Sequence, residues 1–151
     1  MDLLELLTVG LPFCGFKVLT GLSLAGSGTL LPAALLGAFL VLLGVLDAIV
    51  NGVNLAGLLV SGRRPLAACS LALAMRPLGK PAGPPHKWHE LGSSLDVLLS
   101  FALVALMIGA GRLRSMPAGR LAVWNACVIL NVLGAGLGRF GDSWRKLSQV
   151  D

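Results

Sequence analysis

The sequence has no tyrosine, only two histidines and three cysteines, and charged residues make up just 13% of it. Each scarcity removes a class of protein. Cys14, Cys69 and Cys127 lie far apart with no CxxC spacing, which argues against a disulfide framework and against a zinc ribbon. The two histidines fall together in HKWHE, where His86 and His89 stand three apart beside Glu90. They are weak metal candidates, because no third or fourth ligand is evident and neither lies inside an apolar run. No nucleophile–base pair or cofactor motif can be named, so no catalytic residue and no cofactor are expected, and an enzyme is the least supported reading.

Acidic residues are also few, seven against twelve basic ones, for a net charge of +5. The basic residues lie between apolar segments, without stacking aromatics or a groove-reading helix. That pattern points away from nucleic acid and toward anionic lipid headgroups.

What the chain has in abundance is apolar sequence: 56% of residues are hydrophobic and the mean hydropathy is +0.85. A soluble domain of this size could not hide so much apolar area. Runs with few or no charges reach the roughly 20 residues needed to cross a hydrocarbon core about 30 Å thick. The expected fold is all-α: a single polytopic membrane domain over 1–151, with four transmembrane helices in a compact bundle. Their expected limits are about 3–24, 31–59, 91–111 and 121–138. The start, MDLLELLTVG, carries Asp2 and Glu5 rather than a basic n-region, and reads as part of the mature protein. An alternative segmentation threads one tilted helix through the charge-free run from Val18 to Leu46, giving three spans. The cluster Gly26-Ser27-Gly28-Thr29, followed by Pro32, is a better turn than helix interior and favours four.

The stretch from about 60 to 90 is basic and proline-rich, and its apolar centre from Leu66 to Met75 is too short to span. An interfacial or re-entrant segment is expected there. Arg63, Arg64, Arg76, Lys80 and Lys87 in this loop, with Arg139, Arg145 and Lys146 in the tail, outnumber Arg112, Arg114 and Arg120 in the turn between helices three and four. Both termini are therefore expected in the cytoplasm, with Trp88 and Trp144 at one membrane interface.

Helical spacing collects the polar residues. Asp47, Asn51 and Asn54 follow Gly37 and Gly44 on one face of helix two. Gly10, Cys14, Lys17 and Gly21 do the same on helix one; His89, Ser93, Asp96 and Ser100 on helix three; and Cys127, Asn131, Gly134 and Gly138 on helix four. Small residues allow close helix approach in lipid, and GxxxG at Gly134 and Gly138 is such a packing motif. The same glycine-rich stretch superficially resembles a dinucleotide loop, but it follows no strand. Packing does not explain the charges. An ionised Lys or Asp at mid-span costs about 2.5–3.5 kcal/mol, and an inter-helix polar contact returns nearer 1 kcal/mol. Lys17, Asp47 and Asp96 therefore need partners. Lys17 either pairs with one of the acids or snorkels to the interface.

The stretches LPFCGFKVLTG and GAGRL resemble, over a few residues, small bacterial four-helix proteins of the DoxX type. Helix four runs well beyond GAGRL and the family's acidic residue early in helix two is absent, so no function is carried over. The leading expectation is a small multi-pass protein acting through helix packing, as an accessory or scaffold subunit or a homo-oligomer. Its partners would be the bilayer and other membrane subunits or copies of itself. The alternative is a transporter or channel subunit whose path is lined by Asp47, Asn51, Asn54, Asp96 and Asn131, with Lys17 and Ser100 in the same seam.

Overall fold

The computed structural model describes residues 2–26, 31–66, 69–75 and 86–147, without the side chains of 2, 86–89, 139 and 142–147. The described residues are helical, with no strand among them. Four helical stretches are long and apolar enough to cross a membrane: Leu3–Ala25, Leu31–Ser61, Glu90–Gly109 and Ala118–Gly138. They fall within three residues of the limits expected from hydropathy. The last helix continues beyond its apolar part, to Leu147.

The first span is built from α1 (Asp2–Glu5), a π-helical turn (Leu6–Gly10) and α2 (Leu11–Ala25). The wide turn sits just before Pro12, which has no N–H. In an α register the carbonyl of Thr8 would be bonded by residue 12, so the proline leaves it open. The amide of Asn131 donates to that carbonyl at 3.2 Å from another helix. Such outside donors are what allow proline within a membrane helix.

The remaining helices are α3 (Leu31–Ser61), α4 (Ser70–Met75), α5 (His86–Gly109) and α6 (Ala118–Leu147). At 1.5 Å per residue α3 is roughly 46 Å long, more than a hydrocarbon core of about 30 Å requires. It stops where Gly62 turns left-handed at φ +66, a conformation that glycine adopts without a Cβ clash. Gly111, at φ +64, plays the same part after α5, and a 3-10 turn at Arg112–Ser115 leads into α6.

α2 is the central element, touching α3, α5 and α6. Its two sides are chemically distinct. Toward α5 and α6 it offers Phe13, Phe16 and Leu19, which pack with Met107, Trp124 and Cys127 into the main apolar core. The Phe16 and Trp124 rings lie 4.8 Å apart, centre to centre. Toward α3 the first span offers Gly10, Cys14, Lys17 and Gly21. A Cβ on Gly21 would sit 2.5 Å from the carbonyl oxygen of Gly37, and one on Gly37 would sit 2.6 Å from that of Gly21. The two backbones therefore touch. α2 and α3 run antiparallel, with Gly21 against Gly37, Lys17 near Gly44 and Gly10 against Asn51. One helix through residues 18–46 could not produce these pairs, so the three-span alternative falls. Outward-facing Leu35, Phe39, Leu42 and Ile49 on α3 are exposed, as they would be facing lipid.

Gly21→Leu should drive a side chain into the α3 backbone and cost about 1–3 kcal/mol or more of stability, read as a lowered unfolding temperature in mild detergent. Gly52→Ala is the matched control, because nothing lies within 4 Å of a Cβ there. Its unfolding temperature should be unchanged or slightly raised.

Candidate functional site

Lys17 is the buried cation of the described core. Its side chain is 0% exposed and its ammonium donates to Oδ2 of Asp47 on α3 and to Oδ1 of Asp96 on α5. The sequence left Lys17 with a choice between pairing and snorkelling; it pairs with both acids. The geometry follows from three helical periods. Lys17 lies on the α2 face that meets α3, Asp47 is one turn along from Gly44, and Gly44 is small enough to let the lysine stem pass at contact distance.

Asp47 has a second set of partners, from the segment after α3. The backbone N–H of Ser70 donates to Oδ1 of Asp47 at 2.7 Å, and the Ser70 hydroxyl donates to the same oxygen. Ser70 is the first residue of α4, where N–H groups have no partner within the helix. The carboxylate thus binds a lysine with one oxygen and caps a helix with the other. The same segment is held at further points. The N–H of Leu66 donates to Oδ1 of Asn54 at 2.9 Å, and Gly92 of α5 lies so close that a Cβ on it would be 2.7 Å from the Cα of Ala72. Arg64 reaches Glu5 at 3.1 Å near the surface.

The other seam residues divide by role. The Asn51 amide donates to the Cys14 sulfur at 3.4 Å, and Asn131 serves the Thr8 carbonyl. Ser100 is buried, but its hydroxyl bonds the backbone carbonyl of Asp96 at 2.8 Å and not the carboxylate. On α6 the two GxxxG glycines part company. Gly134 lies directly against the Thr8 side chain within this chain, whereas a Cβ on Gly138 would meet nothing within 4 Å. Trp88, Trp144, His86 and His89 belong to helices whose side chains there lie outside the described residues.

Cys69 is the member of the site that the sequence did not bring forward. Its sulfur and carboxylate oxygens of Asp47 and Asp96 all lie within 4.8 Å of one another, a donor set of the size that holds a metal ion. The Lys17 ammonium already bonds both carboxylates, so any other cation must compete with it. Cys69 lies between the spans, and burial is the main cause that pushes its thiol up to about 11, with the Ala72 N–H opposing. It is a protonated, inert thiol at neutral pH. No spacing in the sequence signals either residue: Ser70 is the first residue of α4 and its hydroxyl donates to Asp47, while Cys69 before it accepts from the Ala72 N–H at 3.4 Å.

A cleft of about 60 Å³ opens beside this network, lined by Glu5, Asn51, Arg64, Cys69, Ser93 and Asp96 among others. At about 10–15 Å³ per site it has room for a few water molecules. Beyond Lys17 along α2 the way is filled by the core of Phe16, Leu19, Met107 and Trp124. The arrangement can hold charge and tie four segments together. No family model, curated protein or solved structure matches the chain.

Removing one partner of a buried ion pair leaves an uncompensated charge, at a cost of about 3–5 kcal/mol. Lys17→Met should therefore lower the unfolding temperature in detergent sharply. The triple substitution Lys17→Met, Asp47→Asn, Asp96→Asn should recover most of the loss, since the amide introduced at position 47 keeps an acceptor for Ser70 and no net charge remains.

Proposed function

We propose that this is a small multi-pass membrane protein that works through helix packing, as a subunit of a larger membrane assembly. One observation carries the reading. α3 and α6 flank α2 and leave an apolar groove of about 500 Å³ whose walls include Cys14, Gly15, Val18, Gly44, Ala48 and Val123. The groove is shallow and open, lies along the middle of the spans, and is walled by small and β-branched residues. Small residues are what let a further helix approach closely in lipid. The charged network supports this role: Lys17, Asp47 and Asp96 satisfy one another, so they fix the arrangement of α2, α3 and α5 that shapes the groove. The occupant of the groove is an apolar transmembrane helix of a partner subunit.

Affinity isolation from native membranes in mild detergent should yield a stable membrane partner. Ala48→Trp, an exposed position in the groove wall, should reduce the partner's recovery at least tenfold while the unfolding temperature of the isolated chain is kept. A chain that runs as a monomer at all concentrations and carries no partner would end this reading. Self-association that Ala48→Trp abolishes would replace the foreign partner by a second copy.

A second reading rests on the cleft that brings Asn51 and Asp96 within reach of one end of the protein. In it the chain is a transporter or channel subunit, with Asp47 and Asp96 exchanging a proton against Lys17 and the path continuing past Asn51 and Asn54. Asp47→Asn should then abolish proton- or ion-coupled uptake in vesicles. Unchanged uptake would remove Asp47 from any such path.

A further inference from the structure

At the end of the spans opposite the Lys17 network's cleft, a separate cavity of about 260 Å³ is lined by Ser23, Gly26, Arg112, Ser115, Pro117 and Arg120, with apolar neighbours. Two arginines thus share one concave site with Ser23 and with Ser115, whose hydroxyl donates to the Arg112 carbonyl at 3.0 Å. Among the described residues neither Arg112 nor Arg120 forms an ion pair, and no carboxylate lines the cavity. The sequence explains why. There is no Asp or Glu between Glu5 and Asp47, or between Asp96 and Asp142, so both turns at this end lack acids altogether.

The start of α6 lies at the edge of the cavity. Pro117 in the cavity wall immediately precedes α6, a 30-residue helix with no acidic residue in its first turn. The first intrahelical bond there runs from the Leu121 N–H to the Pro117 carbonyl, so the N–H groups of Ala118, Gly119 and Arg120 have no acceptor within the helix. Ser23 and Gly26 in the cavity wall belong to the C-terminal end of α2, whose last carbonyls carry partial negative charge, so the positive character of the site rests on Arg112 and Arg120. Guanidinium forks, a free helix N-terminus and a hydroxyl are the donors that bind phosphate oxygens.

We propose that this cavity is a binding site for a phosphate-bearing anion, its arginines held apart by the 3-10 turn and α6 so that both reach one ligand. The shared chemistry is a phosphate group. It has two sources, the headgroup of an anionic phospholipid at the membrane surface or free inorganic phosphate. Arg114 provides an internal control: it belongs to the same turn, is exposed and does not line the cavity.

The test uses the full chain purified in mild detergent. Native mass spectrometry with added phosphatidylglycerol reports retained lipid, and thermal unfolding with added inorganic phosphate reports the free anion. Wild type should bind one of the two probes. Arg112→Gln with Arg120→Gln should weaken that binding at least tenfold, and Arg120→Gln alone, at an exposed position, should weaken it measurably without loss of fold. Arg112→Lys with Arg120→Lys should bind between the two, and Arg114→Gln should bind as wild type. Retention of the lipid without protection by phosphate identifies a headgroup site, and the reverse identifies a free-phosphate site. The proposal is overturned if wild type binds neither probe, or if Arg114→Gln weakens binding as much as the double substitution.

Discussion

The structure depends on the burial of one ammonium group. Lys17 is fully enclosed, and it is tolerable in an apolar surround only because Asp47 and Asp96 both accept from it. That requirement fixes where α3 and α5 stand relative to α2 more tightly than apolar packing alone could, since lipid tails are as apolar as the leucines they would replace. Asp47 extends the constraint to a fourth segment by capping α4 through Ser70. The arrangement is a hub with a charge at its centre.

Around that hub the two sides of α2 divide the labour. One side is glycine and polar groups against α3, where backbones touch at Gly21 and Gly37; the other is aromatic and aliphatic against α5 and α6. A helix with one close-packed glycine and polar face and one bulky apolar face cannot rotate in place without losing both. α6 is tied to the first span by Asn131, at the carbonyl that Pro12 leaves open. Lys17, Asp47, Asp96 and Pro12 depart most from regular apolar helix in these spans, and each has a neighbouring group that answers it.

The helical faces were legible because spacing in a helix is fixed by geometry. Gly10, Cys14, Lys17 and Gly21 on the first span, and Gly37, Gly44, Asp47 and Asn51 on α3, form the two surfaces that meet, while Asn54 holds the Leu66 N–H of the following segment. Depth was not legible. Lys17 could have reached the interface had its helix begun later, and only its position in three dimensions places it between two carboxylates. Ser70 and Cys69 were missed because their part in the site depends on how the segment after α3 returns to Asp47, which no periodicity encodes. Ser100 shows the reverse error: it shares the face of Asp96, yet its hydroxyl bonds its own helix, as serine commonly does in an apolar surround.

The separation of the charged partners along the chain bears on biogenesis. Lys17 finds its first acid 30 residues later and its second 79 residues later. During synthesis the first span therefore carries an unanswered cation until α3 has emerged, and the network closes only after α5. In an apolar surround the first two long helices are better suited as a hairpin, with Lys17 already paired to Asp47, than one at a time. A chain interrupted before α5 would retain the Lys17–Asp47 pair and lack the second acid.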